Sequence, residues 1–224
     1  MRSFPSWCFA LALSLADAEA GVAAPTAAAP NAEARYQALL AAAKAAAPNA
    51  DWAGLRLAYS QRPGFVVVAQ SGARRQMLEA GADCKTALPS AKAAIAENYV
   101  DPDAHFVAAF CEDAAGDAAA ARLDRDIGRG LISSIETGDG FSAATAFTPI
   151  SVDEEYAVMR ALGQKVESQA LMQQGGHSYD VISTTDASGS HRTYWFAIDR
   201  VLAAESAALA PGSVSEGGPP SRTP

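Results

Sequence analysis

A chain of 224 residues has room for one medium domain or two small ones, and for a substantial core. Its formal charge of −8 argues against nucleic acid as a partner, because phosphate neutralisation needs clustered Lys and Arg. Half the residues are apolar, yet no apolar run approaches the ~20 residues that span a bilayer.

Residues 1–20 read as an export signal. Arg2 supplies the positive start, "WCFALALSLA" the apolar core, and "AEA" a small-residue cleavage site. Cleavage is expected after Ala20, with Ala23 and Ala24 as alternatives. Cys8 follows bulky Trp7 and does not suit lipoprotein attachment. The expected mature protein is periplasmic or secreted. It keeps two cysteines, Cys84 and Cys111. In an oxidising compartment they permit one disulfide, and two free thiols buried in a helical core fit the spacing equally.

Residues 21–33 form an Ala/Pro-rich linker without periodicity. Tyr36, Leu39, Leu40 and Ala43 then make the stripe of an amphipathic helix that ends before Pro48. A second helix is predicted from Asp51, with Trp52, Leu55 and Tyr59 on one face. Phe65 to Val68 reads as a short strand or a buried loop. The text is helical again from Ser71 to Ile135. Leu88, Ala91, Ile95 and Tyr99 form one stripe, with Pro89 expected in a first turn. In "DPDAHF", Asp101 caps a new helix, Pro102 takes its first position and Asp103 favours its positive end. Phe106 and Phe110 follow at i and i+4. Gly116 and Asp117 turn the chain, and Leu123, Ile127, Leu131 and Ile135 continue at four-residue steps. Tyr99 to Ile135 has the grammar of one tetratricopeptide-like helix pair, in a single clear copy.

After Gly140 the period changes. "ATAFTPI" reads as a strand, Val152 to Leu162 as a short helix ending at Gly163, and "KVESQALMQ" as a further strand. "SYDVISTT" and "RTYWFAI" are predicted strands joined by "DASGS". The fold expected is α+β: an N-terminal helical layer with a tetratricopeptide-like hairpin, packed on a small C-terminal antiparallel sheet. One domain is expected over 34–205, helical over 34–135 and strand-rich over 140–200, with 206–224 a disordered tail by composition.

Motifs with chemistry are sparse. "GDGFSA" matches a dinucleotide fingerprint literally, but it follows a helix and precedes a strand, the reverse of what pyrophosphate binding needs. A turn is the better account, with Gly138 ending the helix left-handed and Asp139-Gly140 completing it. Ser151 and Glu154 form a capping box, while Asp153 and Glu155 favour the helix dipole, so capping explains the acidic triplet. Adjacent Glu154 and Glu155 point about 100° apart and cannot pair with each other. His105 reads as a surface residue, and His177 and His191 flank strands. No metal-ligand spacing, nucleophile elbow or cofactor motif appears, so no metal and no cofactor are expected. Asp180, within a strand, must face either solvent or a specific partner.

The order of "PNADWAGLRLAY", "ENYVDPDAHFVAA", "GLISSIETGDGFSAATAFTPISVDEEY", "SQAL", "YD" and "YWFAIDR" resembles the uncharacterised bacterial family known as domain of unknown function 4919. The resemblance covers roughly Ala34 to Val201, and Gly130 to Tyr156 is its most specific part. It implies exported bacterial proteins without an established activity. It points at Gly138, Asp139, Gly140, Thr145, Glu154, Glu155, Tyr156, Gln169 and Asp180. The family pattern places a histidine where this chain has Asp124, a departure that weakens any role for that position.

The leading expectation is an exported binding or interaction module whose partner is an envelope protein or a small ligand. The alternative is a hydrolase-like envelope enzyme with an acidic site around Asp139, Glu154, Glu155 and Asp180.

Overall fold

The structure, a computed structural model, describes residues 32–209 except Pro48, Ala69 and Gln70. The expected export signal, most of the expected linker and most of the expected tail therefore lie outside the described residues. Helix α1 (Ala32–Ala46) already includes the last two linker positions, and α8 (Asp199–Leu209) extends past the expected domain end.

Between them run α2 (Trp52–Ser60), α3 (Gly72–Ala80), α4 (Cys84–Glu97), α5 (Pro102–Ala115), α6 (Ala118–Ile135) and α7 (Val152–Ala161). Strands β1 (Lys165–Gln174), β2 (His177–Thr185) and β3 (His191–Ala197) follow α7. The architecture is α+β, as the periodicity indicated.

Local chemistry starts most of the helices. Asp51, Ser71, Asp83, Asp101, Asp117 and Ser151 each accept a backbone N–H from the first turn of the helix they precede. Pro102 sits at the start of α5, and Gly116 closes that helix in the left-handed conformation with φ 83°. Pro89 departs from expectation. It lies inside α4 beyond the first turn, where it removes one helical hydrogen bond.

The expected hairpin α5–α6 has company, because α1 pairs with α2, α3 with α4, and α4 also packs on α5. Cys84, the first residue of α4, is disulfide-bonded to Cys111 in α5 with Cα atoms 5.2 Å apart. Helix α6 is the shared wall of two cores. Ile127 and Leu131 join Tyr36, Trp52, Leu55 and Val100 on one side, and Ile132 and Ile135 join the sheet-side core on the other. Its glycines are packing sites: a Cβ on Gly130 would meet the Trp52 indole at 2.2 Å. Leu123, expected in the buried stripe, is exposed.

The three strands are antiparallel in the order β1-β2-β3. Asp180 pairs with Leu171 on one side and Phe196 on the other, and Ile182 pairs with Gln169 and Tyr194. Because side chains alternate, these residues share one face. Ile182, Tyr194 and Phe196 bury it in a core with Ala157, Val158 and Met159 of α7 and Val201 of α8.

"ATAFTPI" is not a strand. Ala143–Thr145 forms a 3₁₀ turn, and Phe147 makes one parallel bridge to Phe196. Pro149 has no N–H with which to continue a ladder, and the next residues already serve α7. Phe65 to Val68 is an irregular, partly exposed segment, held by the Val152 N–H donating to the Val67 carbonyl at 2.9 Å.

Candidate functional site: a carboxyl pair and an apolar groove

Glu154 and Glu155 stand side by side in the first turn of α7, and the helix sends them to opposite neighbours. Glu154 takes two charge-assisted bonds from buried Arg56 of α2, at 2.7 and 2.5 Å, and accepts the Ile150 N–H at 2.9 Å. Arg56 spends its remaining hydrogens on the Ser134 and Thr148 carbonyls and the Ser134 hydroxyl. The capping box is thus half formed. Ser151 Oγ accepts the Glu154 N–H at 3.3 Å, but the Glu154 carboxylate turns to Arg56 and Ile150. Glu154 is a structural anchor joining α2, α6 and α7.

Glu155 is fully buried and reaches Asp180 on β2. Burial pushes its carboxyl up to about 9, and the negative charge of Asp180 adds to the push. Glu155 Oε1 finds no conventional donor. A protonated Glu155 resolves this, since its O–H donates to the Asp180 carboxylate. Gln169 bridges the pair, its amide donating to Asp180 Oδ2 at 2.6 Å and to Glu155 Oε2 at 3.4 Å. Tyr156 closes the cluster by donating its hydroxyl to Gln169 Oε1 at 2.8 Å. An irregularity in the β1–β2 register between Val166 and Ser168 precedes Gln169, which then falls opposite Ile182 on the face that carries Asp180.

The remaining sequence-predicted residues stand apart. Asp139 Oδ1 accepts the Phe141 N–H at 3.0 Å and the Thr145 hydroxyl at 2.5 Å, at the surface. The Gly140 N–H donates to the Thr145 carbonyl, and the Gly140 carbonyl accepts the Trp195 N–H. Gly140 has φ 74°, whereas Gly138 is not left-handed as expected. Gly138 is needed for proximity: a Cβ there would lie 2.3 Å from the Thr145 carbonyl oxygen. Gly138, Asp139, Gly140 and Thr145 therefore make a self-bonded loop against β3. Of the four acids of the hydrolase-like alternative, Glu155 and Asp180 meet, while Asp139 and Glu154 have other duties.

Two polar networks escaped the sequence. His105 is buried, with Nδ1 2.7 Å from Asp124 Oδ1 and Nε2 2.9 Å from the Tyr99 carbonyl. The i+19 partner that rewards its burial has no local signature. Lys92 binds Asp124 at 2.7 Å and Glu112 at 2.5 Å. Against the upward push of burial, His105 and Lys92 hold the Asp124 carboxyl below its ordinary range. Elsewhere Arg74 gathers Asp101, Asp103 and Asp153, and Arg160 pairs with Asp103. The acids at the start of α5 are thus more than caps. Among the described residues, no group of three or more His, Cys, Asp or Glu is placed to hold a metal ion.

A groove of about 660 Å³ lies between α3, α5, α6 and α7. Phe106, Val107 and Phe110 of α5, Ile132 of α6, Ala157 and Ala161 of α7, and Leu162 just after it line the groove. Phe106 and Phe110, spaced one turn apart as expected, both serve this groove, and Phe110 is 56% exposed. Arg129, Arg160, Asp103 and Glu136 supply its charges, and the Glu155–Asp180 cluster is not part of its lining.

These features define an α+β module in which paired helices present an apolar groove and a C-terminal sheet seals a polar pair inside. The chain belongs to the family described as Domain of unknown function (DUF4919), whose profile matches residues 65–207. No curated protein and no solved structure matches it. Among the described residues, no helix is long and apolar enough to cross a membrane.

Proposed function

We propose that this protein is an exported binding module of the cell envelope, and that the groove between α5, α6 and α7 is its ligand site. The observation that carries the reading is the groove. Its volume lies in the ~300–1,000 Å³ range of small-molecule sites, and its walls are apolar with a few charged groups at defined points. Leaving Phe110, Leu78 and Leu162 exposed costs the free protein hydrophobic stabilisation, and an apolar ligand recovers it. Export rests on the charged start, the short apolar stretch and the A-x-A pattern at Ala18 to Ala20. The intact mass of the exported protein tests that part: a mature start near Gly21 supports it, and a product retaining Met1 overturns it.

Binding of the neutral fluorescent probe N-phenylnaphthylamine tests the groove. Emission should rise with the native protein and stay low with Ala161→Trp, which fills the groove from the exposed end of α7. Equal emission from both proteins would exclude the groove as the site.

A second reading, acid–base chemistry, is favoured by one observation: the Gln169 amide holds Glu155 and Asp180 together, and burial with the Asp180 charge pushes the Glu155 carboxyl up to about 9. Glu155 is wholly buried, so a substrate would first have to displace Gln169. Hydrolysis of a glycoside or ester panel that disappears in both Glu155→Gln and Asp180→Asn would support this reading over the first.

A further inference from the structure

One charged group in the groove has no counterpart among the described residues. Helix α6 presents Arg129, Ile132, Ser133 and Glu136 to it, at i, i+3, i+4 and i+7. Glu136 caps the C-terminal end of α6, where the helix dipole is negative and an anion is disfavoured. It is partly buried, and no described side chain or backbone group pairs with its carboxylate. Burial alone pushes this carboxyl above its ordinary range, with no neighbouring charge offsetting the push. The groove's cations are committed elsewhere. Arg160 is bound to Asp103, and Arg129 leans on Asp126 at 3.8 Å. Arg129 is also two turns away, about 10 Å along the helix axis. Local rules broken in this way, an anion at the wrong helix end beside an apolar cleft, are characteristic of binding sites.

We infer that Glu136 is the cation subsite of the groove, so that the ligand is a small apolar molecule bearing a protonated amine. This rests on the groove reading above and adds the chemistry of its occupant. The apolar part lies between Phe106, Phe110 and Leu162, and the cation completes the unpaired carboxylate at the end of α6. Arg129 at the far end disfavours a second cation there, which sets the direction of the ligand.

Calorimetric titration with three chain-matched probes, decylamine, decanol and decanoate, tests the assignment below their aggregation limits. Native protein should bind decylamine about tenfold more tightly than decanol, the discrimination that one charge-assisted contact supplies. Glu136→Gln should bind both equally while melting at the same or a higher temperature, because it removes no native partner. A Leu/Lys amphipathic peptide extends the test to a second source of the cation. Binding of decylamine and not of the peptide supports the inference, and tighter, Glu136-dependent binding of the peptide would overturn it in favour of a basic segment. Equal affinities for decanol and decylamine in the native protein would overturn the cation subsite and leave the groove standing. Preference for decanoate, lost in Arg129→Gln, would overturn it with the opposite polarity. Failure of every probe to bind would overturn the inference and the groove reading together.

Discussion

Glu155 of α7 and Asp180 of β2 are joined inside the protein by the single amide of Gln169, which donates to both carboxyl groups. The folded state keeps the Glu155 proton up to about pH 9, whereas the unfolded chain releases it near the ordinary value of 4.5. Between those values the unfolded state binds fewer protons than it would if folded. This pair's contribution to stability therefore falls as pH rises through that window, and it is flat below it. Glu155→Gln keeps a donor toward Asp180 without a charge to bury. Its melting temperature should exceed that of the native protein at pH 8, by the equivalent of on the order of a few kcal/mol, and match it near pH 4. Thermal melts across pH read this directly, and parallel curves for the two proteins would refute it.

The Arg56–Glu154 pair should behave oppositely. Arg56→Met leaves a buried carboxylate uncompensated and should cost about 3–5 kcal/mol in denaturant unfolding. Pairing it with Glu154→Leu should recover a large part of the loss. A double variant as unstable as the sum of the singles would show that the two residues are not coupled.

In the 136–146 loop, size and charge should separate. Gly138→Ala drives a Cβ into the Thr145 backbone and should lower stability by about 1–3 kcal/mol. Asp139→Asn still accepts from Phe141 and Thr145, so its melt should hardly change. A large loss at Asp139 with none at Gly138 would reverse this account.

The Cys84–Cys111 bond spans a sequence separation of 27 residues, for which the chain-entropy estimate is about 3.5 kcal/mol. Thiol titration of the denatured, unreduced protein should find no free thiol at either position, and reduction should lower the melting temperature. Two titratable thiols would contradict the bond.

Most of the helices were legible in the sequence because their signals are local, whereas α8 and the break between α3 and α4 were not read. Asp51, Ser71, Asp101 and Ser151 each lie within three residues of the N–H they accept. The sheet was legible for a similar reason, since β2 and β3 are joined by a turn and alternate cleanly. "ATAFTPI" misled because β-rich composition does not reveal whether a ladder partner is free to receive it. The capping account of "VDEE" was right for Ser151 and incomplete for Glu154 and Glu155, whose partners lie 98 residues upstream and on β2. His105, Lys92 and Asp124 were unreadable on the same ground: their contacts join three different helices. A groove on the helices could be expected from a helix pair on a sheet, but its lining was not legible, because Phe110 and Leu162 look like core residues until the helices leave them uncovered.

Arg56 lies upstream of residue 65, where the family match begins. The matched segment therefore leaves out the guanidinium that neutralises Glu154, and with it Leu55 and Trp52, which cover one side of α6. A chain begun at Phe65 would expose Ile127 and Leu131 and strand a carboxylate in its interior. The first two helices thus close the interior from outside the matched segment, and the fold depends on residues on both sides of that edge.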